Sequence, residues 1–253
     1  MIDSVNSPLD EVGVFLGILL FSIIILIASV LQTSTGFGFS IVATPFLLLL
    51  FDVTEAIQIN LILSLIISSA LITKIRSDID FAILKRLILG SIAGVPIGVV
   101  IFQMADAQTL KLIISLIILL LTFLLILSFR IKPTVGRDLV FGGLSGSLTT
   151  SIGMPGPPLL LYFSGAHMKK EKLRGTTLAF YLFIYSVSLL SQLVFVGTNQ
   201  TIWISSGLAI PLVLLGLYLG QLLFLRINQQ IFRLFTYAIL LFTGVYLLID
   251  SLI

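Results

Sequence analysis

The sequence predicts an all-α polytopic membrane protein, built as two inverted repeats with short or broken helices near the centre and about 8–10 membrane segments. Three observations lead there. Of 253 residues, 58% are hydrophobic and 10% charged, against roughly 25% charged in a soluble domain. Several apolar runs reach the roughly 17–25 residues that cross hydrocarbon as helix. Finally, the second half echoes the first: Gly94, Gly98, Gln108 and Lys111 recur at one constant spacing as Gly216, Gly220, Gln230 and Arg233.

The first repeat is expected over 12–129. It opens with a span at 12–31, then a Gly/Thr/Ser break, a short piece at 40–51, and spans at 56–73, 81–102 and 107–129. Asp3, Asp10 and Glu11 precede the first span, where a cleaved leader would carry positive charge, so this span is read as a retained helix. A cytoplasmic linker is expected at 130–138. The second repeat, 139–250, reads as a short piece at 139–148, a Gly/Pro break, another short piece at 157–163, and spans at 175–196, 201–225 and 230–249.

Charge sets the orientation. All of the 14 Lys and Arg residues except Lys111 fall in four regions: Lys74 to Arg86, Arg130 to Arg137, Lys169 to Arg174, and Arg226 with Arg233. Facing these to the cytoplasm puts residues 52–55, Asp106, residues 197–200 and both termini on the periplasmic side. Equivalent loops of the two halves then carry opposite charge: acidic 52–55 corresponds to basic 169–174, and basic 74–86 to neutral 197–200. An odd number of crossings per half turns the second copy over.

Two polar breaks are the candidate site. The first runs from Gln32 to Ser40 and holds Ser34, Thr35, Gly36, Phe37, Gly38 and Phe39, with Thr44 and Pro45 close behind; the second runs from Thr149 to Pro158 and holds Thr150, Ser151, Gly153, Met154, Pro155, Pro157 and Pro158. Glycine and proline release the chain from helix, and irregular backbone at membrane depth is tolerated only where protein or a water-filled cavity shelters it. The helix starts that follow would aim amides and the positive dipole end at a central solute, so a small anion is expected there. Asn60 and Thr177 on neighbouring spans join the candidate set. Tyr181, Tyr185 and Gln192 have a weaker claim, and Arg174 is read as an interfacial anchor.

The composition also excludes classes. Cysteine is absent and His167 is the sole histidine, so no metal site, cofactor or nucleophile with its base is expected, and the chain is not read as an enzyme. Its net charge of +3 is dispersed in short loops rather than gathered into a patch, which argues against nucleic acid. Membrane lipids are expected partners, and self-association into a homo-oligomer is left open.

The breaks carry a resemblance. With TSTGFGFSIVATPFLLLL early, GGLSGSLTTSIGMPGPPLLLYF in the middle, and Arg174-Gly175-Thr176-Thr177 opening a later span, the chain resembles the TauE/SafE sulfite exporter family over nearly its whole length. The family's motif glycines and prolines correspond to Gly36, Gly38, Pro45, Gly153, Pro155, Pro157 and Pro158. Met154 to Pro157 stands where the family pattern is richer in glycine. The resemblance implies transport of a small inorganic or organic sulfur anion (sulfite, thiosulfate or an organosulfonate) across the bacterial inner membrane, in either direction. Alternating access about the central anion is the expected mechanism, with export favoured because an inside-negative potential drives an anion outward. An anion channel or an uptake transporter is the alternative.

Overall fold

The computed structural model describes residues 8–127, 131–164 and 168–224, and beyond these 237–238, 241–242, 244–246, 248–249 and 251–252. The described elements are α1 (Pro8–Thr35), α2 (Phe39–Leu47), α3 (Val53–Ile75), a 3-10 turn (Arg76–Asp78), α4 (Phe81–Met104), α5 (Ala107–Ile126), α6 (Val135–Ile152), α7 (Gly156–Ser164), α8 (Lys170–Phe195) and α9 (Gln200–Phe224). The described residues from 237 onward are helical as well. Most of the span expected at 230–249, together with His167, Arg226 and Arg233, lies outside the described residues.

Among the described residues, six helices are long and apolar enough to cross a membrane: α1, α3, α4, α5, α8 and α9. Their burial sorts them. The membrane window of α3 is 67% buried and that of α8 44%, against 28–33% for the others, so α3 and α8 form the centre. Outward apolar side chains such as Ile92, Leu120, Val194, Leu208 and Leu214 are exposed, which suits contact with lipid.

Boundaries differ from expectation for local reasons. The sixth helix starts at Val135, inside the stretch read as linker, because the Thr134 hydroxyl caps it by accepting from Arg137 N–H at 3.3 Å. It also runs past 148 to Ile152. The hydroxyls of Thr149, Thr150 and Ser151 turn back onto the carbonyls of Ser145, Gly146 and Ser147 at 2.5, 3.1 and 2.8 Å, so these residues stay helical instead of opening the break. Residues 32–35 are likewise helical. The non-helical segments shrink to 36–38 and 153–155. Pro157 and Pro158 sit in the first turn of α7, where a missing N–H costs nothing.

The central pair is antiparallel. Near the start of α3, Gln58 Nε2 donates to the Gly197 carbonyl beyond the end of α8, at 2.7 Å. At the other end, Asp80 N–H donates to Thr176 Oγ1 at 2.9 Å, and the Asp80 carboxylate pairs with Lys172 at 3.0 Å while capping α4. The Lys172 hydrogen bond draws the Asp80 carboxyl below its ordinary range. Residues 52–55 and 197–199 therefore share one end of the bundle, a grouping that Asn199 reinforces by donating to Glu55 at 2.6 Å. Basic residues 169–174 lie at the other end, with the α3–α4 turn.

Two outer pairs flank this centre, α4 with α6 and α1 with α9, each parallel and packed backbone to backbone. On α4, Gly90, Gly94 and Gly98 meet Leu139, Gly143 and Ser147 of α6 in order. On α9, Gly216 and Gly220 meet Ser29 and Thr33 of α1. Small residues allow such approach where lipid supplies no hydrophobic drive between helices.

A Cβ on Gly94 would collide with the Gly143 carbonyl, whereas one on Gly207 meets nothing within 4 Å. Gly94→Val is expected to cost about 3 kcal/mol or more in reversible unfolding from detergent micelles. Gly207→Ala in the same assay should leave stability unchanged or slightly raised.

Candidate functional site

Of the residues singled out from sequence, Ser34, Gly36, Phe37, Gly38, Phe39, Thr44, Pro45, Asn60, Thr150, Ser151, Gly153, Met154, Pro155, Pro157, Pro158 and Thr177 are buried, and Thr35 is half-buried. They do not all face one place. Thr150 bonds Ser188 Oγ at 2.9 Å and receives Gln192 Nε2 on its carbonyl at 2.9 Å, tying α6 to α8. The Ser34 hydroxyl donates to Leu31 O at 3.2 Å, and Thr35 Oγ1 accepts from Phe37 N–H at 3.1 Å.

Both breaks use left-handed glycine. Gly38 (φ 120°) precedes α2, and Gly153 (φ 71°) ends α6. Several amides expected to be free are occupied: Gly36 N–H donates to Gln32 O at 2.9 Å, Gly153 N–H to Thr149 O at 2.8 Å and Met154 N–H to Leu148 O at 3.2 Å. The donors lie slightly further on. Because Gly38 has no side chain to cap α2, the amides of Phe39, Ser40 and Ile41 have no hydrogen-bond partner among the described residues. The start of α7 is poorer in donors, since Pro155, Pro157 and Pro158 carry no N–H and only Gly156 has one to offer.

The two helix starts converge on α8. Tyr185 OH donates to Ser40 Oγ in the first turn of α2, at 3.4 Å. Tyr181 OH, fully buried and without a partner, lies 3.2 Å from the point where a Cβ on Gly156 would sit, at the first residue of α7. The Ile41 side chain reaches the same point, at 3.0 Å, which brings α2 alongside α7. The two tyrosine rings are 5.2 Å apart. Asn60 Nδ2 donates to the Gly153 carbonyl at 2.7 Å, leaving its Oδ1 buried and unpartnered, as are the hydroxyls of Thr44 and Thr177. Buried polar atoms are nearly always paired, so these are polar groups whose partner the described residues do not supply.

Sequence reasoning under-weighted the tyrosines and passed over Ser40. A signal existed. Arg174, Thr177, Tyr181, Tyr185, Ser188 and Gln192 recur at spacings of three and four along α8, and all are buried. A polar stripe on an otherwise apolar helix faces the protein, not the lipid.

The surroundings complete the geometry. Arg174 packs its backbone on Gly36, where a Cβ would lie 3.0 Å from Arg174 Cα, and its guanidinium lies 4.3 Å over the Phe224 ring. From Tyr181 the aromatic contacts run through Phe37 (6.2 Å) and Phe163 (6.4 Å) to Tyr162 (5.6 Å). The Tyr162 hydroxyl donates to the buried carboxylate of Asp138, which pairs with Arg86 at 2.5 Å and so links α7, α6 and α4. Near the other end, a small crevice is lined by Val99, Phe102, Thr150, Gln192 and Phe195.

Lipid-facing outer helices around a buried polar centre define a polytopic all-α membrane protein. The family described as "Sulfite exporter TauE/SafE" matches residues 21–247, so the chain belongs to the TauE/SafE family. No curated protein and no solved structure matches it. Membership makes it a multi-pass protein of the bacterial inner membrane and a secondary transporter that exports sulfur-containing anions, not an enzyme.

Replacing Asp138 with Ala strips Tyr162 and Arg86 of their common partner. Unfolding free energy in detergent is expected to fall by about 2 kcal/mol, while Tyr162→Phe, which leaves the Arg86 pair intact, should cost about 1 kcal/mol.

Proposed function

We propose that the transported anion is bound where the starts of α2 and α7 meet, and that two inverted halves, α1 to α5 and α6 onward, move about it by alternating access. The single observation that carries this is the Tyr181 hydroxyl, buried and partnerless between two short helix starts. In this reading the anion accepts hydrogen bonds from the amides of Phe39, Ser40 and Ile41 and from Tyr181, with Thr44, Asn60 and Thr177 around it. Gly36 to Gly38 and Gly153 to Pro155 are the helix interruptions that make room. Dipoles and neutral donors supply the attraction.

Inversion is supported by an exchange of partners. If α1, α2, α3 and α4 correspond to α6, α7, α8 and α9, then the α4–α6 contact and the α9–α1 contact are the same interface, made twice. Gly94 and Gly98 serve the first as Gly216 and Gly220 serve the second. The antiparallel α3–α8 pair then lies on the pseudo-twofold axis in the membrane plane. Gly36 and Gly153, Phe39 and Gly156, and Val53 and Lys170 are all the same number of residues apart, which supports the alignment of breaks and helix starts. The α1–α2 and α6–α7 units would be helical hairpins reaching in from opposite faces.

The basic end, with residues 169–174 and the α3–α4 turn, is read as cytoplasmic, and residues 52–55, 197–199 and both termini as periplasmic. The crevice at Val99, Thr150 and Gln192 lies towards the periplasmic end and suits an exit route. Sulfite, thiosulfate and organosulfonates are all candidate cargo, and a homo-oligomer is compatible with the fold. Moving one negative charge outward across an inside-negative potential is favourable by roughly 2.3 kcal/mol per 100 mV, which drives export without a coupling ion.

Flux of sulfite into proteoliposomes under imposed voltage tests this reading. Saturable, voltage-driven transport is expected, and Tyr181→Phe should lower it about tenfold, as loss of a hydrogen bond to a charged group worth about 1.5 kcal/mol. Undiminished transport by Tyr181→Phe and by Gly38→Val together would remove the site from the pathway. A non-saturating chloride conductance would make the protein a channel.

A further inference from the structure

We infer that the site selects a singly charged anion, so that sulfite is moved as hydrogensulfite and the dianion is rejected; this rests on the site reading above. The argument is one of charge balance in a buried space. The side chains at the two helix starts are Ser40 of α2, Asn60 of α3, and Tyr181 and Tyr185 of α8, with Thr44 and Thr177 one helical turn from Ser40 and Tyr181, all uncharged at neutral pH and all at 0–1% exposure. The starts of α2 and α7 each contribute the equivalent of roughly half a positive charge. Two such ends balance one negative charge. A second negative charge would be buried without compensation, which is strongly unfavourable.

The ionised groups nearest this cluster do not alter the balance. Arg174 enters α8 one turn before Thr177 with its Nε buried and unpartnered, but its guanidinium is stacked over Phe224 at the end of α9, and Asp78, packed against the adjacent Gly175, sets an opposite charge beside it. Asp138 lies beyond Phe163, where Tyr162 and Arg86 hold it. From α2, α3 and α7 no carboxylate, lysine or histidine joins the cluster among the described residues.

Hydrogen-bond polarity points the same way. Because Asn60 commits its Nδ2 to the Gly153 carbonyl, the Oδ1 left over is an acceptor, buried and unpartnered. A fully deprotonated oxyanion has only lone pairs to offer it. An anion with an O–H can donate to Asn60 and accept from Tyr181 and the α2 amides at once. The proton then travels on the cargo and no protein carboxylate needs to relay it; each turnover carries one negative charge and one hydrogen together, and the hydrogen is released after exit.

The test uses the full chain in proteoliposomes, with total sulfite fixed below saturation, pH set equally on both faces and stepped across the hydrogensulfite–sulfite equilibrium, and protein-free vesicles subtracting permeation of the neutral acid. Expected is a rate proportional to hydrogensulfite, competition by methanesulfonate but not by sulfate at every pH, and a methanesulfonate flux that stays flat over the same steps. A rate that rises with the dianion, or sulfate competing as well as methanesulfonate, overturns the inference. A methanesulfonate flux that follows the sulfite profile also overturns it, because a protein group would then be titrating. Tyr181→Phe and Gly38→Val in the same vesicles separate the two layers. If they still lower flux while the pH profile runs the wrong way, the site stands and the charge selection falls. If they leave flux unchanged, the site reading falls and takes this inference with it.

Discussion

A chain that leaves helical geometry inside hydrocarbon must shelter each freed amide and carbonyl, and here that requirement falls on residues 36–38 and 153–155. Their surroundings follow from it. Gly36 is covered by the backbone of Arg174, Gly153 by the Asn60 amide, and the helix starts by Tyr181 and Tyr185, so α3 and α8, the most buried of the membrane-length helices, provide the walls. Among the groups left unsatisfied after this shielding are donors and acceptors at the start of α2, at Tyr181 and at Asn60. The transport site is, in this account, the residue of an incomplete solution to the backbone problem.

The rest of the bundle divides by how tightly it is joined. The parallel α4–α6 and α1–α9 pairs meet backbone to backbone through glycine and have little room to adjust, so they suit rigid units. The contact between α2 and α7, by contrast, is narrow, and the polar groups beside it are long-bonded or unbonded. Motion about the bound anion would be absorbed there and along α3 and α8. The Arg86–Asp138–Tyr162 link fastens α7 to the α4–α6 pair at the basic end.

Much of this was legible in the residues. Apolar length identified the outer helices, the charge alternation grouped the loops at the ends where contacts now put them, and paired Gly/Pro segments located both interruptions. Their width was misread because Thr149, Thr150 and Ser151 look like breakers in sequence, yet in helix they satisfy their hydroxyls on the preceding turn. The donor set was misassigned for a related reason: a left-handed glycine cap consumes the amides at the break itself and leaves exposed those one turn later. The tyrosines were legible only as a stripe along α8. Taken singly, a Tyr in a membrane helix reads as packing; in register with Thr177, Ser188 and Gln192 it reads as a lining. The start of α6 was hidden because Arg137 and Asp138 interrupt the apolar pattern, and only their ion-pair and capping partners make a buried helical turn of them.

Everything depends on the two interrupted hairpins entering from opposite faces of the membrane. Because the chain has no cysteine, single cysteines at the exposed Asp52 and Lys169 positions can be labelled without background in intact cells, using a thiol reagent that does not cross the inner membrane. Asp52→Cys should label from the periplasm at once, and Lys169→Cys only after the membrane is opened. Labelling of both from the same side would contradict the account.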